Sequence, residues 1–160
     1  MREWNLSIDD PLSMTLSADS RITTTDYHDD QIWELSLSSG DPPAIRLYTN
    51  FGLRCRSFHI YPRFIENDKI CSDPSTFVRT PVIHQIYPNL ISLKFSPFPE
   101  LDVELSYWVP VSNAISSKLK VTNGSNKHRQ VKLEWIAILI PAEDGEPMTP
   151  MEIQAARVLV

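Results

Sequence analysis

Cysteine and glycine are scarce in this chain, long apolar runs are missing, and positive charge is outnumbered. Each of these absences narrows what the protein can be. Cys55 and Cys71 are the only cysteines. The opening residues, Met-Arg-Glu-Trp-Asn, lack the apolar run of a signal peptide. With no export signal, the two thiols are expected to be free in a reducing cytoplasm rather than joined. The sequons at Asn5 and Asn123 are then accidental. The longest apolar run, Trp135 to Ile140, is far too short to span a bilayer. A net charge of −5 argues against nucleic acid, because phosphate binding needs clustered Lys and Arg. Arg54, Arg56 and Arg63 are too sparse to supply such a cluster.

Four glycines stand against thirteen prolines. Pro62, Pro74, Pro81, Pro88, Pro97, Pro99 and Pro110 recur too often for long helices, since each fixes φ and removes a donor. No repeat, low-complexity stretch, internal linker or amphipathic helix is visible. A chain of 160 residues reads as one domain with room for its own core.

What is present is strand after strand. Leu101, Val103, Leu105, Tyr107 and Val109 alternate with Asp102, Glu104, Ser106 and Trp108, the period of a half-buried strand. Leu119 and Val121 repeat the pattern, and after the Asn123-Gly124-Ser125-Asn126 turn so do Val131, Leu133, Trp135, Ala137 and Leu139. Upstream, strands are expected at Leu12 to Ala18, around Trp33 to Leu37, Ala44 to Thr49 and Leu53 to Tyr61. More fit Phe77 to Val78, Val82 to Tyr87 and Leu90 to Phe95, with a loop from Glu66 to Pro74. Roughly ten short strands at this spacing predict an all-β antiparallel sandwich.

The final strand breaks its own rule. Ile136, Ile138 and Ile140 occupy the side that Lys132 and Glu134 begin as polar, so both faces become apolar. Such a strand is normally covered on both sides, which marks these isoleucines as an interface. Met151 to Val160 reads as the start of a further strand, and its apolar finish suggests a longer polypeptide or an end that docks into a partner.

The pattern Val109-Pro-Val-Ser-Asn-Ala-Ile-Ser-Ser-Lys-Leu-Lys-Val-Thr-Asn-Gly-Ser-Asn-Lys-His-Arg-Gln-Val-Lys-Leu-Glu-Trp135 resembles the N-terminal β-sandwich, or supersandwich, of glucoamylase-type and glycogen-debranching-like glycoside hydrolases. In such domains a strand ending in L-x-V-T-N turns through small polar residues and returns as R-x-V-x-L-E. Here those positions are Leu119 to Asn123 and Arg129 to Glu134, and the likeness spans roughly Ser92 to Met148. It implies a non-catalytic first part of an enzyme acting on α-glucans or related oligosaccharides. Its partner would be the (α/α)6 barrel that carries the family's catalytic carboxylates, or a second copy of the chain. Because the family's catalytic carboxylates sit on that barrel, no catalytic residue is carried over, and since complete domains of this kind are longer, the chain would be a first part or a reduced version.

The remaining candidates are weighed on their own chemistry. Asp102 and Glu104 lie about 7 Å apart along a strand, but Lys118 and Lys120 on the next strand explain them better as surface ion pairs. Glu143, Asp144 and Glu146, like Asp26, Asp29 and Asp30, lack calcium-loop spacing and read as solvated turns. Cys55, His59, Cys71 and His84 lack the close pairs of a structural zinc site, so no metal or cofactor is expected. Arg54 and Arg56 share a face that reads as a solvated edge. Sugars stack on exposed aromatics, which makes Trp108, on the otherwise polar face, and Trp4 the candidate carbohydrate-binding residues. Trp108 is alternatively a plug under a loop. Trp33 and Trp135 fit core faces. A stand-alone carbohydrate-binding sandwich and a structural homo-oligomer remain the competing readings.

Overall fold

A computed structural model describes residues 4–5, 13–17, 32–37, 40–49, 55–111 and 114–142. They form two antiparallel sheets that share one core, the all-β sandwich expected from the alternation. The first sheet runs β1 (Trp4–Asn5), β7 (Arg79–Tyr87), β8 (Leu90–Phe98), β9 (Leu101–Val111) and β10 (Ala114–Asn123), in that spatial order. The second runs β11 (Lys132–Pro141), β5 (Cys55–Glu66), β4 (Ile45–Thr49), β3 (Ile32–Leu37) and β2 (Ser13–Ser17). A short β6 (Lys69–Cys71) pairs with the end of β5.

The alternation fixes what goes inside. Leu101, Val103, Leu105, Tyr107 and Val109 are buried on β9, facing Leu35, Ile45, Leu47 and Phe64 of the other sheet within one cluster. Fully burying a side chain of this size contributes about 1.5–3 kcal/mol. Exposed ion pairs contribute about 0–1 kcal/mol, so the core decides the fold. Phe95 bridges the sheets. Its ring stacks on Phe77 at 5.2 Å and meets Phe64 edge-on at 5.8 Å.

The prolines sit where the ladders lapse. Pro62 falls on β5 between the stretch paired with β4, which ends at Ile60, and the stretch paired with β6, which begins at Phe64. On that side no partner demands its missing N–H. Pro81 and Pro97 lie inside register shifts of the β7–β8 and β8–β9 ladders.

Three sequence expectations shift. β5 runs on through Pro62 to Glu66 instead of ending near Tyr61. The segment expected as a loop from Glu66 holds β6 and a single 3-10 turn, Pro74–Thr76. Phe77 closes that turn and is buried, so no strand forms at Phe77 to Val78, and β7 begins at Arg79 rather than at Val82. Asp73 sets the turn by accepting the Ser75 amide at 2.8 Å, which fixes the chain direction at Phe77. The strand expected at Met151 to Val160 lies outside the described residues.

Candidate functional site

β11 is an edge strand, held by β5 on one side and unpaired on the other among the described residues. Its register sets Leu133, Trp135, Ala137 and Leu139 opposite Phe64, Pro62, Ile60 and Phe58, on the core side. Ile136, Ile138 and Ile140 stand opposite Tyr61, His59 and Ser57, on the outer side. The expected double-sided strand is therefore real. Ile136 is half-buried beside the buried Tyr61, whereas Ile138 and Ile140 are 38% and 43% exposed. Trp135 does face the core, where its ring meets Tyr107 edge-on at 6.2 Å, yet 37% of it remains exposed. Leu133 beside it is equally open. Four large apolar side chains are thus open to solvent on one free-edged strand.

The outer face here is built around His59. Its ring stacks on Tyr48 at 5.7 Å, and the Tyr48 hydroxyl donates to Glu34. Burial, with the Arg46 charge added, pushes the His59 imidazole below the ordinary histidine range. His59 thus joins the exposed Ile138 of β11 to Tyr48 of β4 on this outer face.

At one end, a polar junction ties the two sheets together. The carboxylate of Glu66, at the end of β5, accepts from Arg129 Nε at 2.7 Å and Nη2 at 2.6 Å. Arg129 Nη1 donates to the Pro99 carbonyl in the β8–β9 turn at 2.6 Å. Asn123 Oδ1 accepts from the Ser125 amide at 3.0 Å, and the Gly124 amide donates to the Glu100 carbonyl at 2.8 Å. An open hollow of about 410 Å³ lies over this junction, rimmed by Asn67, Glu100, Lys127 and His128. Glu134 in turn accepts from Arg63 Nε at 2.7 Å and pairs with Lys132. Asn123, Arg129 and Glu134, the polar letters of the family-like pattern, are thus structural ties.

The carboxylates of β9 are committed. Asp102 Oδ1 accepts from Arg79 Nη2 at 2.8 Å and from Ser96 Oγ at 2.7 Å. Glu104 lies between Lys94 at 3.6 Å and Lys120 at 4.0 Å. The expected partner set is corrected in one respect. Lys118 stands opposite Ser106, and Asp102 finds its cation on β7, two strands away.

Trp108 stands on that same outer face, half-buried, between Leu90 and Ser116. Trp4 sits opposite Ile83 at the far edge of the sheet; its side chain lies outside the described part. Cys71 is a free, buried thiol, donating to the Pro97 carbonyl at 3.5 Å. Among the described residues no group of three His, Cys, Asp or Glu side chains is placed to hold a metal ion. No helix among them is long and apolar enough to cross a membrane. Arg54 and the acidic residues at positions 26, 29, 30, 143, 144 and 146 lie outside the described residues, as does the Cys55 side chain.

Sequence reasoning missed Tyr87, Leu133 and the His59–Tyr48 stack. The only local signal for Tyr87 was an aromatic just before the Pro88-Asn89 turn. No protein-family model, curated protein or solved structure matches this chain.

Proposed function

We propose that this chain is a non-catalytic β-sandwich domain that braces a second folded body of the same polypeptide through β11. The pattern at Leu119–Asn123 and Arg129–Glu134 resembles the N-terminal supersandwich of glucoamylase-type glycoside hydrolases. On that reading the second body is an (α/α)6 barrel acting on α-glucans or related oligosaccharides, and the sandwich helps shape the rim of its cleft. A reducing, cytoplasmic setting suits the free thiol of Cys71.

The observation that carries this reading is the double-sided exposure of an edge strand, with Leu133 and Trp135 on one face and Ile138 and Ile140 on the other. An uncovered apolar edge invites unwanted pairing and is normally blunted or hidden. Covering these four side chains would contribute roughly 1 kcal/mol each. A body that wraps the edge covers both faces at once. Edge-to-edge pairing of β11 with a second copy would satisfy the backbone and leave both apolar faces in water, so a homo-oligomer suits the geometry less well. Catalysis by Asp102 and Glu104 is disfavoured because Arg79, Ser96, Lys94 and Lys120 already engage them.

The intact mass of the protein made by its native cells tests the proposal. The expected result is a species several times heavier than 18.3 kDa, whose remainder is helical. A native mass of 18.3 kDa would overturn it.

A further inference from the structure

The geometry points to a second binding surface, on the sheet that does not contain β11: a platform for a chain of pyranose sugars across the outer face of β7, β8 and β9. The ladders pair Tyr87 with Leu90 and Leu90 with Trp108. Cross-strand partners share a face, so these three side chains form one row. Two strand spacings set the Tyr87 and Trp108 backbones about 10 Å apart. Leu90 and Trp108 are half-buried and form a floor, while Tyr87 is 58% exposed.

The next row, about 7 Å along the strands, is Gln85, Ser92, Ser106 and Lys118. It offers an amide, two hydroxyls and an ammonium. The Ser92 and Ser106 hydroxyls hydrogen-bond each other at 2.5 Å, which holds both at the surface in fixed positions. A pyranose ring has one apolar C–H face and a rim of hydroxyls. An aromatic row beside a row of hydrogen-bonding groups matches both features at once. Glu104 is already paired with Lys94 and Lys120 and Asp102 with Arg79, which leaves the Lys118 ammonium to donate to ring hydroxyls. Trp4 pairs at a different register position, opposite Ile83.

This surface is independent of the bracing edge, since the two lie on different sheets. The probes are maltohexaose, cellohexaose, xylohexaose and mannohexaose, titrated into the protein by calorimetry. At least one should bind, and Tyr87→Ala should weaken that binding about ten-fold. Trp108→Phe should weaken it and abolish the accompanying change in tryptophan fluorescence, whereas Ile138→Ser should leave it unchanged. Tyr87 is exposed enough that its replacement leaves the fold intact, checked by an unchanged urea midpoint. Failure of all four sugars to bind at millimolar concentration would overturn the platform. Binding unaffected by Tyr87→Ala would overturn it as well.

Discussion

Arg129 and Glu66 form a two-point ion pair, with Nε and Nη2 of the guanidinium 2.7 and 2.6 Å from the two carboxylate oxygens. Sixty-three positions separate them in sequence, and both side chains are only 13% exposed. Because Arg129 also donates to the Pro99 carbonyl, one side chain joins the β10–β11 loop, the end of β5 and the β8–β9 turn. The two sheets are fastened there, which fixes where β11 begins and hence where its apolar edge lies.

Replacing Arg129 should therefore destabilise the whole sandwich. Arg129→Met removes three charge-assisted hydrogen bonds and leaves Glu66 largely buried. The expected cost is about 2 kcal/mol by urea unfolding. Arg129→Lys should recover less than half, because an ammonium cannot bridge both carboxylate oxygens. Equal stability of the Lys variant and the parent would contradict the two-point geometry.

Acid should loosen the same junction. The hydrogen bond from Arg129 holds the Glu66 carboxyl below the ordinary carboxylate range, and Lys132 followed by Arg63 does the same for Glu134. A depressed folded-state value stabilises the fold at neutral pH, and that contribution is lost as pH falls through and below the carboxylate range. Stability measured against pH should decline there, and Glu66→Gln should flatten part of the decline. An unchanged slope in Glu66→Gln would contradict this account.

Much of the architecture was legible in the residues, for a physical reason. A strand with one face buried must alternate, and Leu101 to Val109 does so without a break. What escaped notice depends on register rather than on local pattern. β6 has only three residues, Lys69–Cys71, too few to show a period. The run of β5 through Pro62 depends on its neighbours lapsing on one side, which only the assembled sheet reveals. Adjacency in sequence alone points Asp102 to the lysines of the next strand. Its true partner, Arg79, arrives by way of β8 and two register shifts. The double-sided apolar run at Ile136, Ile138 and Ile140 is legible because it depends only on the sequence of its own strand.

The bridge between the sheets should be the costliest place to remove volume. Phe95→Ala deletes a fully buried ring that touches both Phe77 and Phe64. The expected loss is about 4 kcal/mol. A loss below about 1 kcal/mol, the range of surface substitutions, would mean that the two sheets do not share this core.

Cys71 should be a slow nucleophile. Burial pushes its thiol up despite the hydrogen bond with Thr76, and the thiolate is the reactive form. Alkylation by iodoacetamide, followed on the Cys71 peptide by mass spectrometry, should be strongly retarded in native protein relative to protein in urea. Equal rates would contradict the burial of Cys71 against Pro97 of β8.

The central claim concerns what covers β11, and a photo-crosslinker at Ile138 tests it most directly. Benzoylphenylalanine placed there, in the protein as its native cells make it, reacts with whatever C–H bond lies over that face. The account predicts adducts to residues of the same polypeptide outside positions 1–160. Adducts to Ile138 or its neighbours in a second copy, or no adduct at all, would contradict it.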